Sequence, residues 1–111
     1  MFEEIIIPDG VNSVGAYAFE NCDNLMTLHI GRSVLSIGDY FVRNDRNLTN
    51  FTIDPLNIAY ELISGVLYTK DKKTILAAAP MMSIETLILE EGVETIKSYA
   101  FEYSKAKRII P

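Results

Sequence analysis

The chain has 111 residues, of which 49% are apolar and 23% charged, and a net charge of −5 at pH 7. That is enough for one domain with its own core and ordinary for a folded soluble protein. Fifteen acids against ten bases argue against a phosphate backbone as main partner, because nucleic-acid binding needs concentrated Lys and Arg.

The N-terminal MFEEIIIPDG is acidic and lacks a basic segment or long apolar run, so it does not read as a signal peptide. Glu4 to Leu25 (EIIIPDGVNSVGAYAFENCDNL) then sets a pattern. Asp9-Gly10 marks a turn, Val11 and Val14 a short extended segment, and Tyr17-Ala18-Phe19 a tight, helix-like turn ending near Cys22. Thr27 to Leu48 (TLHIGRSVLSIGDYFVRNDRNL) repeats it 23 residues on: Ile7 falls on Ile30, Val11 on Val34, Gly15 on Gly38 and Leu25 on Leu48. Leu28 and Ile30 alternate with polar residues, as a half-buried strand requires. In this unit either Phe41 or Val42 takes the place of Phe19. Lys97 stands where Gly15 and Gly38 stand, so that position needs no left-handed backbone.

A third copy starts at NFTID, with Ile53 again 23 beyond Ile30. Its start, DPLNIAYEL, reads as irregular. Gly65 to Thr69 and Thr74 to Ala78 then read as the two strands of a hairpin around the charged turn Lys70 to Lys73. The longest apolar run, Ile75 to Met82, contains Pro80 and is far too short to span a bilayer. The fourth copy, TLILEEGVETIKSYAFEY, aligns Leu89, Val93, Ile96, Ala100 and Phe101. RIIP begins a fifth, with Ile110 and Pro111 matching Ile7 and Pro8. The repeats therefore lie near 4–25, 27–48, 50–85 (hairpin insert 63–80) and 86–107. One unit cannot bury its apolar residues alone, but stacked units make a continuous core. Phe19 and Phe101 are expected as rungs of an internal aromatic stack.

The run IPDGVNSVGAYAFENCDNLMTLHI, Ile7 to Ile30, resembles the BspA-type (Treponema-type) leucine-rich repeat family. Its Ile-Pro, Val, Ser-Val-Gly, Ala-Phe, Cys and spaced Leu and Ile carry the likeness. The resemblance implies a right-handed leucine-rich-repeat solenoid, mainly β with short helical turns, whose parallel concave sheet is interrupted by the β-hairpin insert. It also implies a non-catalytic, protein-binding role in a surface or secreted, adhesin-like protein of a host-associated microbe, with a host matrix or cell-surface protein as partner. An intracellular interaction scaffold is the alternative. Neither end carries a recognisable polar cap, so the chain reads as a fragment of a longer array or as one that associates end to end.

The residues offer little chemistry. Cys22 is the sole cysteine and His29 the sole histidine. No residue near in sequence completes a dyad or a metal site, so no cofactor, metal or catalytic residue is expected. Cys22 aligns with Asp45 and Ser104, and the three read as a small polar ladder holding the turn backbone, with the thiol unreactive. Glu3-Glu4 and Glu90-Glu91 point to opposite faces of their strands. Lys105, Lys107 and Arg108 read as a solvated end. Asn47-Leu48-Thr49 and Asn50-Phe51-Thr52 match the glycosylation acceptor pattern, a frequent chance match.

The outward strand positions form two columns. One holds Ile6, His29, Thr52, Ile88 and Ile109; the other holds Glu4, Thr27, Asn50, Thr86 and Lys107. Solenoids bind partners on such faces, although sheets favour these β-formers in any case. The partner site is expected at Glu4, Ile6, Thr27, His29, Asn50, Thr52, Thr86 and Ile88.

Overall fold

The computed structural model describes residues 3–81, 85–104 and 106–110. Met82, Lys105 and Pro111, which figure in the sequence reading, lie outside the described residues. The chain is a β-solenoid of about four turns with parallel strands. Strands β1 (Glu4–Ile6), β3 (Thr27–Ile30) and β5 (Asn50–Ile53) form one parallel sheet. The register pairs Ile6 with His29 and His29 with Thr52, as the 23-residue repeat requires. The short strands β2 (Ser13–Val14) and β4 (Ser36–Ile37) pair on a second side of the coil.

The expected short helical turns are not helices: no described residue is helical. The reason is visible in the hydrogen bonds of Tyr17–Asn21. Ala18 N–H and Glu20 N–H donate within the turn, to the Gly15 and Tyr17 carbonyls at 3.2 and 3.1 Å. The N–H groups between them, of Tyr17, Phe19 and Asn21, donate to Asp39, Phe41 and Arg43 of the next coil at 3.1, 2.8 and 3.1 Å. N–H groups spent on the next coil are not spent on carbonyls four residues back, so no α-helical turn forms here. Left-handed residues at Tyr17 and Asn21, with φ of 60° and 61°, keep the turns from propagating. Gly15 and Gly38 are not left-handed, in line with Lys97 at the equivalent position.

The third unit contains the expected hairpin and adds a strand before it. Three strands, β6 (Tyr60–Ile63), β7 (Val66–Thr69) and β8 (Thr74–Ala78), make an antiparallel meander. β6 falls in and after the stretch read as irregular. Ile63 pairs with Val66 across Ser64-Gly65, both left-handed at φ 52° and 80°, which is the tight two-residue turn that matches strand twist. β10 (Thr95–Ile96) joins the free edge of β8 in parallel. The remaining strands, β9 (Thr86–Ile88) and β11 (Arg108–Ile110), form a separate two-stranded parallel sheet.

The meander is a septum between two cores. Val66, Leu67 and Tyr68 are all fully buried. Leu67, Leu76 and Ala77 join the core of the first units with Leu28, Ile30, Leu48 and Phe51. Val66, Tyr68, Ile75 and Ala78 face the other way and pack with Leu87, Leu89 and Ala100. Strands covered on both faces read as unbroken apolar runs, as VLY and ILAAA do here.

The internal aromatic stack is corrected. Phe19 and Phe101 are half-buried and pack against different cores. The choice left open in the second unit goes to Phe41, which is buried and lies 6.0 Å from Phe51, ring centre to ring centre. Val42 takes the half-buried position of Phe19.

Where the meander replaces a coil, side chains take over the backbone pairing. Asn57, only 2% exposed, donates through Nδ2 to the Gly31 and Val34 carbonyls at 2.9 and 3.0 Å. Its Oδ1 accepts from Ala59 N–H and Tyr60 N–H at 2.8 and 2.9 Å. The Tyr60 hydroxyl accepts from Ile37 N–H at 3.0 Å and the Tyr68 hydroxyl from Glu90 N–H at 3.1 Å. Each supplies the acceptor that a neighbouring strand would have offered.

Asn57→Ala would leave the Val34 carbonyl and the Ala59 and Tyr60 N–H groups unpaired, while the Gly31 carbonyl keeps Val34 N–H at 3.5 Å; each unpaired group costs ~1–3 kcal/mol when buried. The expected loss is about 3 kcal/mol in urea unfolding; a loss under ~1 kcal/mol would place Asn57 outside this bridging role. Phe41→Ala is expected to cost roughly 3–5 kcal/mol, as for a ring removed from a packed core, and Phe19→Ala distinctly less in the same assay.

Candidate functional site

Six of the eight residues expected at the partner site come together on the β1–β3–β5 sheet. Glu4, Thr27 and Asn50 share one row, and Ile6, His29 and Thr52 share the next. Both rows are braced across the coils: Thr27 Oγ1 donates to Asn50 Oδ1 at 2.9 Å, and His29 Nδ1 bonds Thr52 Oγ1 at 2.7 Å. Ile6 stands 59% exposed at the edge. Parallel in-register pairing makes these contacts, because equivalent residues of adjacent coils sit directly side by side.

Thr86 and Ile88 lie on the other sheet, with β11. There the register moves by one residue from expectation. Arg108 rather than Lys107 pairs with Thr86, and Ile110 rather than Ile109 pairs with Ile88. A one-residue slip exchanges the faces of a strand, so Ile109 falls beside buried Leu87. Ile88 itself is 66% exposed.

The polar ladder at Cys22 and Asp45 is present. Cys22 N–H donates to Asp45 Oδ1 at 2.7 Å, and Ser104 Oγ accepts from Ala106 N–H at 3.2 Å. Burial, with Asp45 and Asp23 nearby, raises the Cys22 thiol pKa and keeps it protonated, which is the opposite of what a nucleophile needs. Asp45 is 1% exposed, and its Oδ2 has no partner among the described residues. Burial pushes its pKa up to about 7, against the bond from Cys22 N–H and with Asp23, Glu102 and Glu20 adding to the rise. Among the described residues, no group of three or more His, Cys, Asp or Glu side chains is placed to hold a metal ion.

A second surface was not foreseen. The left-handed residues recur from coil to coil: Tyr17, Tyr40 and Tyr99 at φ 60°, 61° and 62°, then Asn21, Asn44 and Tyr103 at 61°, 66° and 59°. The first three rings form a ladder with centroids 5.2 and 5.4 Å apart. The turn of the fourth unit thus packs directly on that of the second. Lys97 Nζ bridges to Asp39 at 3.0 Å, and Asn44 N–H donates to Glu102 Oε1 at 2.7 Å. Arg43 lies over the Tyr99 ring at 4.6 Å and Arg46 over Tyr103 at 5.1 Å. Asn44 Nδ2 donates to Asn21 Oδ1 at 2.6 Å, and the Tyr103 hydroxyl donates to Asn44 Oδ1 at 2.8 Å. The signal in the sequence was the recurrence of Tyr before Ala-Phe or Phe-Val, with Asn or Tyr four residues on.

The family model for the BspA type leucine rich repeat region matches residues 1–64 and 77–110, in six copies. The chain belongs to the BspA-type leucine-rich repeat family. The match passes over the middle of the meander, which is where the coil departs from its repeat. Comparison with curated proteins gives no match. Among crystal structures, the chain is similar to a leucine-rich repeat protein from Eubacterium ventriosum, with 23% identity and a TM-score of 0.88 over 97% of this chain and 29% of that one. It is similar to the pneumococcal vaccine antigen PcpA, at 21% identity and a TM-score of 0.86, over 96% of this chain and 33% of that one. A leucine rich cell surface protein from Faecalibacterium prausnitzii gives 21% identity and a TM-score of 0.58, over 97% of this chain and 25% of that one. At these identities the likeness is one of fold. The BspA-type chain spans a third or less of the length of each neighbour. No helix of the described residues is long and apolar enough to cross a membrane.

Asp45 gives a pH test of the turn ladder. A buried acid whose folded pKa exceeds its unfolded value of 3.8 binds more protons when folded between those two values. Stability is therefore expected to fall as pH rises from about 4 to about 7, and to level off above. Asp45→Asn keeps the acceptor for Cys22 N–H and removes the charge. Melting temperatures from pH 4.5 to 8 should show a flatter profile for the variant; parallel profiles would mean that Asp45 titrates normally.

Proposed function

We propose that this chain is a non-catalytic, protein-binding solenoid of a surface or secreted, adhesin-like protein. In this reading it holds a protein partner on the row of outward strand residues Glu4, Ile6, Thr27, His29, Asn50 and Thr52. Thr86 and Ile88 extend that surface on the second sheet. The observation that carries the reading is the bracing of the two rows. Side chains already bonded to one another across coils lose little freedom on binding, which lowers the cost of association. Rigid exposed faces of repeat proteins are used in this way. The surface assignment draws on the family and on a neighbour described as a cell surface protein.

Two measurements test it. Protease treatment of intact source cells should remove the band that an antibody to this chain detects; a protected band would put the protein inside the cell. Binding of the purified chain to a panel of immobilised extracellular-matrix proteins should then identify a partner. Thr52→Arg, which breaks the His29 bond and places a long cation in the row, is expected to weaken that binding at least tenfold. Unchanged affinity would remove the strand face from consideration.

A further inference from the structure

We infer that Asp45 is a pH-governed latch between the first two coils: while its carboxyl holds a proton the turn of residues 17–25 stays closed over Cys22, and once it ionises that turn opens locally and bares the Cys22 thiol. The first ground is the geometry of the carboxyl group. Among the described residues two polar side chains are buried, those of Asp45 and Asn57. Asn57 has both ends of its amide occupied. Asp45 does not. Its backbone is satisfied, with its N–H on the Val42 carbonyl and its own carbonyl taking Leu48 N–H, each at 3.2 Å. Its Oδ1 accepts from Cys22 N–H at 2.7 Å, while Oδ2 has no partner among the described residues. A protonated carboxyl bears this as one unmade bond of a neutral group. An ionised one carries charge into the same gap, which costs far more.

The second ground is what surrounds it. Glu20, Cys22 and Asp23 face Asp45 from the turn of the first coil, and Glu102 faces it from that of the fourth. All three carboxylates oppose a charge at Asp45. The cations of its own turn are engaged elsewhere. Arg43 pairs with Glu20 at 3.6 Å and covers the Tyr99 ring. Arg46 donates to Asn44 Oδ1 at 3.4 Å and lies over Tyr103. Burial foremost, and then these acids, lift the Asp45 carboxyl to a pKa of about 7 against the bond from Cys22 N–H.

The third ground is position. Asn44 and Asn47 also tie the first turn, through Asn21 Oδ1 and the Asp23 carbonyl at 2.6 Å each, but both bonds are exposed and exchange readily with water. Asp45 supplies the more buried tie, at Cys22 itself. A hollow of about 510 Å³ is lined by Asn21 and Asp23, and by Asn44 and Arg46. These residues flank Cys22 and Asp45 in sequence, so water stands close to the tie. With the turn closed, the carboxyl keeps its proton up to about pH 7; with the turn open, it returns toward the ordinary value of 3.8. The closed turn is therefore favoured most at acid pH, loses ground as pH rises from about 4 to about 7, and is weakest above.

The rate at which Cys22 of the whole folded chain reacts with 4,4′-dithiodipyridine, divided by the rate of the urea-unfolded chain at the same pH, reads the open fraction. The division cancels the ionisation of the exposed thiol. The ratio is expected to rise by about tenfold or more from pH 5 to pH 7 and then to level off. It should hardly change with urea below the unfolding transition, since a local opening exposes little surface. Asp45→Asn keeps an acceptor for Cys22 N–H and loses the charge, so its ratio should stay at the parent's pH 5 value throughout. Asp23→Asn, at an exposed position, removes one opposing acid and should make the rise level off at lower pH. The inference fails if the parent's ratio is flat with pH, which would mean that the closed turn already admits the reagent. It fails if Asp45→Asn rises like the parent, which would make another group the sensor. It also fails if the ratio grows with urea as steeply as global unfolding does, because unfolding would then be the only route to the thiol.

Discussion

The structure depends on one requirement: backbone groups on the flank of each coil must find partners on the next. Individual coils have too little apolar surface to stand alone, so the coil-to-coil hydrogen bonds and the core beneath them form together. Tyr17, Phe19 and Asn21 meet the requirement with every second N–H, and this is why the turn is not a helix. The meander would violate it, and Asn57, Tyr60 and Tyr68 restore it with side-chain atoms. A buried Asn with both ends of its amide occupied is stable where a half-satisfied one would be costly.

The meander also decides which surfaces are continuous. On the strand side it separates β1–β3–β5 from β9–β11, so the outward rows fall on two sheets. On the turn side it removes one turn altogether, and the fourth unit closes onto the second through Tyr40–Tyr99 and Asn44–Glu102. An insertion in one coil thus interrupts one face and leaves the opposite flank in contact. The buried acid at Asp45 lies beneath the second of these, bonded to Cys22 N–H.

The sequence by itself determined the repeat, the register of the first three coils and the six residues of the strand face, of which Thr27, Asn50, His29 and Thr52 are braced; the family was legible in the residues of Ile7 to Ile30. The repeat, the register and the shared rows follow from a period of 23 residues, because in-register stacking places equivalent residues side by side. The sequence also determined the charged turn and the two strands around it. The tertiary structure decided what lies off that period. β6 was legible only through the Ser64-Gly65 pair between two apolar runs, and its membership of a septum depends on burial against two cores, a non-local property. The face of Phe41 was decided by the room left beside Phe51, and the slip of β11 by its pairing with β9. The left-handed backbone of the tyrosines has no signal within a single unit, only the recurrence of Tyr between units, since Tyr is a poor choice for that backbone; coil-to-coil bonds and ring packing hold them there, and only the stacked structure contains those.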